Sequence, residues 1–151
     1  MKHASFFPFA TKSPIPVSEL PDTVALRFYL QRISAGFPSP AHDHSHTSLD
    51  INDYLIENKA ACFLFRVEGQ SMIDAHIDDG DLVVVNRALE AKHGQIVLAI
   101  VDDGYTIKTL YQRAGVIELR PANPSFKPIR FSDGAELQIW GVVTGVVRKV
   151  G

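Results

Sequence analysis

The chain has 151 residues, is 46% apolar, and carries 15 Lys and Arg against 17 Asp and Glu. That is enough for one compact core and too little for two comfortable domains. The near-balanced charge excludes a broad basic field for holding nucleic acid backbone, so any role in DNA metabolism is expected to run through protein partners rather than direct sequence-specific DNA binding.

From Met1 to Ala41 the sequence holds Pro8, Pro14, Pro16, Pro21, Pro38 and Pro40, which remove amide donors and disfavour long helices. Residues 1–41 therefore read as a flexible N-terminal arm and 42–151 as the folded body. Within the arm, Val24–Leu30 has strand-forming or short-helix character and is able to dock. A helix-turn-helix needs two packed helices and their core, which the flanking prolines argue against.

Next comes a polar stretch from His42 to Thr47. His42, His44 and His46 alternate there, but no cysteine or rigid fourth ligand accompanies them, so a solvated loop is the expected reading and neither metal nor cofactor is expected. The spacing of Ile51, Tyr54 and Leu55 predicts a short helix over Asp50–Glu57, with Ser48 or Asp50 capping its start and Asn58 its end. β patterns then follow at Ala61–Val67, Asp81–Asn86, Gln95–Val101, Tyr105–Tyr111, Val116–Arg120 and Gln138–Val147.

Turn signals at Asp79-Gly80, Asp103-Gly104, Ala114-Gly115 and Asp133-Gly134 separate the strands, and short turns suit antiparallel neighbours. The expected fold is mainly β: a curled antiparallel, barrel-like sheet with one or two short helices. The single cysteine, Cys62, cannot form an internal disulfide and sits in an apolar run that suggests a buried thiol. The last strand is long and uncharged; at an edge it would be a candidate dimer surface. No apolar run approaches the ~20 residues needed to cross a bilayer, which suggests a soluble, cytoplasmic protein.

The chemistry concentrates in Glu68-Gly69-Gln70-Ser71-Met72 and in Tyr105-Thr106-Ile107-Lys108-Thr109-Leu110. A serine hydroxyl is a poor nucleophile until something takes its proton, and a lysine serves only if desolvation lowers its pKa from about 10.4. Ser71 precedes a plausible helical turn over Met72–Ile77, whose free amides, including those of Gln70 and Ser71, are suited to an oxyanion hole. A serine in such a place is also an ordinary helix cap. Alternation puts Thr106, Lys108 and Leu110 on one strand face and Tyr105, Ile107 and Tyr111 on the other, without deciding which face is inward. His76, five residues after Ser71, is expected to point away from it.

Taken in order, Val67–Ile73, Ile77–Val85, Gly94-Gln95-Ile96-Val97, Thr106-Ile107-Lys108, Leu119–Pro124 and Ile139–Val143 resemble the LexA/UmuD self-cleaving peptidase family. The short proline-rich arm resembles its UmuD branch more than the repressors. The resemblance implies that Ser71 is the nucleophile, Lys108 in its neutral form the general base, and the Ala35–Gly36 peptide bond the substrate. It further implies promotion of cleavage by a RecA filament on single-stranded DNA, and a processed homodimer that joins an error-prone Y-family DNA polymerase. Ala35 is small and Gly36 lets the backbone bend, both suited to a cleft. The rival pair Ala114-Gly115 lies in an expected hairpin turn, where cutting would damage the fold. The alternatives are a non-catalytic polymerase-binding module that shares the β body, and a repressor-type autoprotease.

Overall fold

The structure is a computed structural model that describes residues 25–38, 40–41, 43–131 and 137–151. It forms two compact units, one spanning Pro21–Glu57 and the other holding Asn58–Gly151.

In the first unit, β1 (Ala25–Tyr29) pairs antiparallel with β2 (His46–Asp50), from Ala25 opposite Asp50 to Tyr29 opposite His46. The arm segment given strand-forming or short-helix character is a strand, and its partner includes His46 and Thr47, which the sequence placed in a loop. Backbone pairing is indifferent to side-chain polarity, and His46, Thr47 and Ser48 are all exposed, so no apolar alternation marks the strand. His46 lies against the Tyr29 ring at 5.6 Å, and its Nδ1 is 3.2 Å from the His44 carbonyl; His42 lies outside the described residues.

A short helix, α1 (Ile51–Leu55), follows with Asp50 as its cap, accepting from the Asn52 amide at 2.8 Å. It ends earlier than expected: Ile56 rather than Asn58 is the C-terminal cap, its amide donating to the Asn52 carbonyl. Between β1 and β2, Ala35 and Gly36 are exposed. The Gly36 amide donates to Ser34 Oγ at 3.0 Å.

The second unit is one open, seven-stranded antiparallel sheet. Its strands are β3 (Cys62–Arg66), β4 (Leu82–Asn86), β5 (Ile96–Val101), β6 (Gly104–Arg113), β7 (Val116–Arg120), β8 (Ile129–Arg130) and β9 (Gln138–Val147). The spatial order is β3-β4-β9-β5-β6-β7-β8. β9 is therefore not an edge. It pairs with β4 on one side and β5 on the other, so its backbone is unavailable for the edge-to-edge dimer contact considered above; β3 and β8 hold the edges.

Irregularities between Val84 and Val85 and between Leu98 and Ala99, where β4 and β5 meet β9, curl the sheet. A Cβ on Gly141 would lie 2.7 Å from Val85 Cγ1 and 3.1 Å from the Asn86 carbonyl, so only glycine fits this crossing. The β6–β7 turn is Ala114-Gly115, both at positive φ, as a two-residue hairpin requires. The β5–β6 turn centres on Asp102 and Asp103, one residue earlier than the sequence suggested, again both at positive φ. The expected Asp133-Gly134 turn lies outside the described residues. β8 was missed because two residues are too few to show a period.

Both faces of this sheet are packed. Val83, Val85 and Leu98 join Val67, Met72 and Ile77 in one apolar cluster, while Val97, Ala99, Leu110 and Leu119 form another. Successive residues of β5 thus enter different clusters, which is why its sequence is a continuous apolar run. Cys62 is buried, as expected.

Candidate active site

The segment linking β3 to β4 carries Ser71, and its base is pinched by two main-chain bonds. The Val67 amide donates to the Asp81 carbonyl, and the Gly80 amide donates to the Val67 carbonyl, each at 2.8 Å. Gly69 takes φ +93°, a conformation other residues avoid, and its amide donates to Asp79 Oδ1 at 2.7 Å. Met72 and Ile77 are almost wholly buried, so the loop is anchored in the core on the far side of Ser71.

A second set of bonds comes from the residues after β7. The Ala122 amide donates to the Ser71 carbonyl, and the Asp74 amide to the Ala122 carbonyl, both at 2.8 Å. Asn123 Nδ2 donates to the Gln70 carbonyl at 2.8 Å. The base of the loop is held again by Arg148, which grips buried Asp81 through Nε at 2.7 Å and an Nη at 2.6 Å. This pairing keeps the Asp81 carboxyl below its usual range, against the opposing effect of burial.

The expected helical turn is a single 3-10 turn, Ile73–Ala75, and Met72 rather than Ser71 occupies its cap position, with no side-chain capping bond. Ser71 is not a helix cap. Its Oγ instead lies 2.9 Å from Lys108 Nζ, although 37 residues separate the two in the chain. His76 is exposed and ends the turn in a left-handed conformation, away from this contact's bonding.

Lys108 is 8% exposed, with its backbone paired to fully buried Val97. The face that alternation left undecided is therefore an inward one, and Leu110 beside it is buried too. Three oxygens surround the amine at 2.9 Å: Ser71 Oγ, Thr106 Oγ1 and the Ile107 carbonyl. All three are neutral. Burial therefore lowers the Lys108 pKa below the ordinary lysine range, and among the described residues no anion offsets it.

The hydrogen-bond count suits either state of the amine. An ammonium donates to all three oxygens; a neutral amine donates to Ile107 and Thr106 and accepts from the Ser71 hydroxyl. A cleft of about 340 Å³ opens at this point, lined among others by Gly69, Ser71, Met72, Phe65, Tyr105 and Thr106. Among the described residues no hydrogen bond engages the amides of Gln70 or Ser71. Groups of His, Cys, Asp and Glu able to hold a metal are absent among the described residues, and no described helix is long and apolar enough to cross a membrane.

Ser71 and Lys108 are thus brought together, while Ala35 and Gly36 belong to the other compact unit. Sequence reading missed the parts played by Asp79, Ala122 and Asn123. Asn123 offered only a faint signal, an amide between Pro121 and Pro124 in a turn-forming run. Thr106 was legible in principle, since alternation puts it on the Lys108 face.

A hydroxyl that lines a cleft and is bonded to a desolvated amine is an arrangement that serine peptidases with an amine base can use. Residues 27–144 match the Peptidase S24-like family, and the chain belongs to that family of serine peptidases. It is 43% identical over 122 residues to Protein MucA of Salmonella typhimurium, covering 80% of this chain and 82% of that one. Protein ImpA of Salmonella typhimurium is 39% identical over 136 residues, with 85% and 87% covered. The LexA repressor of Azoarcus sp. (strain BH72) is 42% identical over 118 residues, with 78% and 58% covered. The chain is a UmuD-like member of the LexA/UmuD type.

Proposed function

We propose that this chain is a self-cleaving Ser-Lys endopeptidase of the SOS response that removes its own N-terminal arm at the Ala35–Gly36 bond. The observation that carries the reading is the 2.9 Å contact between Ser71 Oγ and a buried Lys108 Nζ that is paired with no anion among the described residues.

In the proposed reaction the neutral amine takes the Ser71 proton as Oγ attacks the Ala35 carbonyl carbon. The electron pair of that carbonyl moves onto its oxygen, where the Gln70 and Ser71 amides stabilise the charge. Collapse of this intermediate breaks the C–N bond, and the Lys108 ammonium returns the proton to the departing Gly36 nitrogen. Water, deprotonated by the same amine, then hydrolyses the Ala35 ester and frees Ser71. Because the substrate is part of the same chain, attack is effectively unimolecular, and each molecule is consumed by its own cut.

The proposed outcome is a shortened cytoplasmic homodimer that acts as accessory subunit of an error-prone translesion polymerase, with a RecA filament on single-stranded DNA promoting the cut. Resemblance supports that part, together with a net charge of −2 that favours protein partners over nucleic acid backbone. The test is mass spectrometry of the purified chain held at alkaline pH. A fragment beginning at Gly36 is expected, and Ser71→Ala should stay whole; continued cutting at that bond in Ser71→Ala would remove the reading.

A further inference from the structure

A peptide group is planar and trans, so its C=O and N–H point in opposite directions, and holding one aims the other. Two such groups flank the Ser71 Cα, and the segment after β7 holds the carbonyl of each. Asn123 Nδ2 grips the Gln70 oxygen at 2.8 Å, and the Ala122 amide grips the Ser71 oxygen at 2.8 Å. The first of these groups carries the Ser71 N–H, one of the two donors assigned above to the oxyanion.

We infer that Asn123 is a positioning residue for self-cleavage: by fixing the Gln70–Ser71 peptide plane through the Gln70 carbonyl, it aims the Ser71 amide at the oxyanion. This rests on the reading of Ser71 as nucleophile. Asn123 is itself held, because its Oδ1 accepts from the Ser125 amide at 2.9 Å, which leaves Nδ2 to face Gln70. The segment is also tied to the turn beyond Ser71 through the bond from the Asp74 amide to the Ala122 carbonyl. One side chain thus connects the segment after β7 to the residue before the nucleophile, while main-chain bonds connect it to the nucleophile and the turn after it. Asn123 makes no bond to Lys108, so its effect on the reaction is separable from that of the base.

The separation gives the test. Asn123→Asp preserves the acceptor for Ser125 and replaces the donor to Gln70 with an oxygen that repels it; Asn123→Ala removes both. Formation of the fragment beginning at Gly36 is followed in the full chain against pH, with Ser71→Ala alongside and a thermal melt of each variant. The expected result is a plateau rate lower by about 10- to 100-fold in both variants, less than or similar to the loss of an oxyanion donor, with the pH midpoint unmoved in Asn123→Ala, which adds no charge.

Wild-type plateau rates in both Asn123 variants, with Ser71→Ala inert, would overturn the inference and leave the proposed function standing. A shifted midpoint in Asn123→Ala would also overturn it, because Asn123 would then be acting on the base. So would a loss of rate that merely follows a loss of fold in both variants; if only Asn123→Asp melts below the assay temperature, Asn123→Ala decides. Cutting at Gly36 in Ser71→Ala would remove the proposed function and this inference together.

Discussion

The proposed role of Lys108 as the base for self-cleavage carries a pH dependence set by its surroundings. A lysine with the ordinary pKa of about 10.4 is neutral in roughly one molecule in 2,500 at pH 7, and each unit by which burial lowers that pKa multiplies the neutral fraction by ten. With only neutral oxygens around Nζ, the shift is downward. Below the folded pKa the rate should rise tenfold per pH unit, then bend toward a plateau with its midpoint below about 10.4 as the amine becomes neutral. Direct attack by hydroxide would rise with the same slope but would not level off. Lys108→Met should lower the rate at the plateau by about 10²- to 10⁴-fold, the usual contribution of a general base. The assay is single-turnover appearance of the fragment beginning at Gly36 from pH 6 to 10.5. A flat profile, or an unbroken climb shared by Lys108→Met, would refute the reasoning. Linkage supplies a second readout in a Ser71→Ala background. Because the folded pKa is depressed, the unfolded chain binds more protons between the two pKa values, so stability rises with pH across that window. The stability advantage of the Lys108→Met chain over its parent should accordingly shrink as pH rises toward 10.4, as read by urea titration.

Three further perturbations test other parts of the molecule. Gly141→Ala sets a methyl 2.7 Å from Val85 Cγ1 and near the Asn86 carbonyl, and should cost about 1–3 kcal/mol in denaturant unfolding; an unchanged midpoint would mean that β4 and β9 can part. Arg148→Ala removes the partner of buried Asp81, whose depressed pKa contributes stability above the unfolded value near 3.8 that is lost as pH falls through the folded pKa. Its melting temperature should therefore drop at pH 7 and approach that of the parent below pH 3.8; a constant gap across that range would point to packing alone. Gly36→Val should suppress the fragment without lowering the melting temperature, since Gly36 is exposed, and undiminished processing would assign the cut to another bond.

What the sequence made legible was set by period and by turn chemistry. Six strands of the larger sheet stand close to where β-branched runs and glycine turns put them, and Ala114-Gly115 forms the expected hairpin. β2 escaped notice because its outward side chains are polar, and β8 because it is two residues long. The order of strands was not legible at all. Nothing local tells β9 to insert between β4 and β5 rather than close an edge; that depends on the contact of Gly141 with Val85 and Asn86, across more than fifty residues. The same limit applies to the clamps on Ser71, because Asn123 and Asp79 act through single hydrogen bonds to backbone atoms.

The inward placement of Lys108 shows why alternation could not decide its face and why the placement is tolerable. Alternation separates an apolar face from a polar one, but here Ile107 packs with one cluster and Leu110 with the other, so neither face is the wet one. An amine on such a strand would be costly if its hydrogen bonds went unmade. Thr106, two residues back on the same strand, and the adjacent Ile107 carbonyl supply two acceptors from Lys108's own strand. These local bonds hold the amine in both protonation states and leave its third direction to Ser71. In the proposed mechanism, moving a proton along that third bond requires no other bond to break, so the surroundings of the proposed base are organised before the reaction begins.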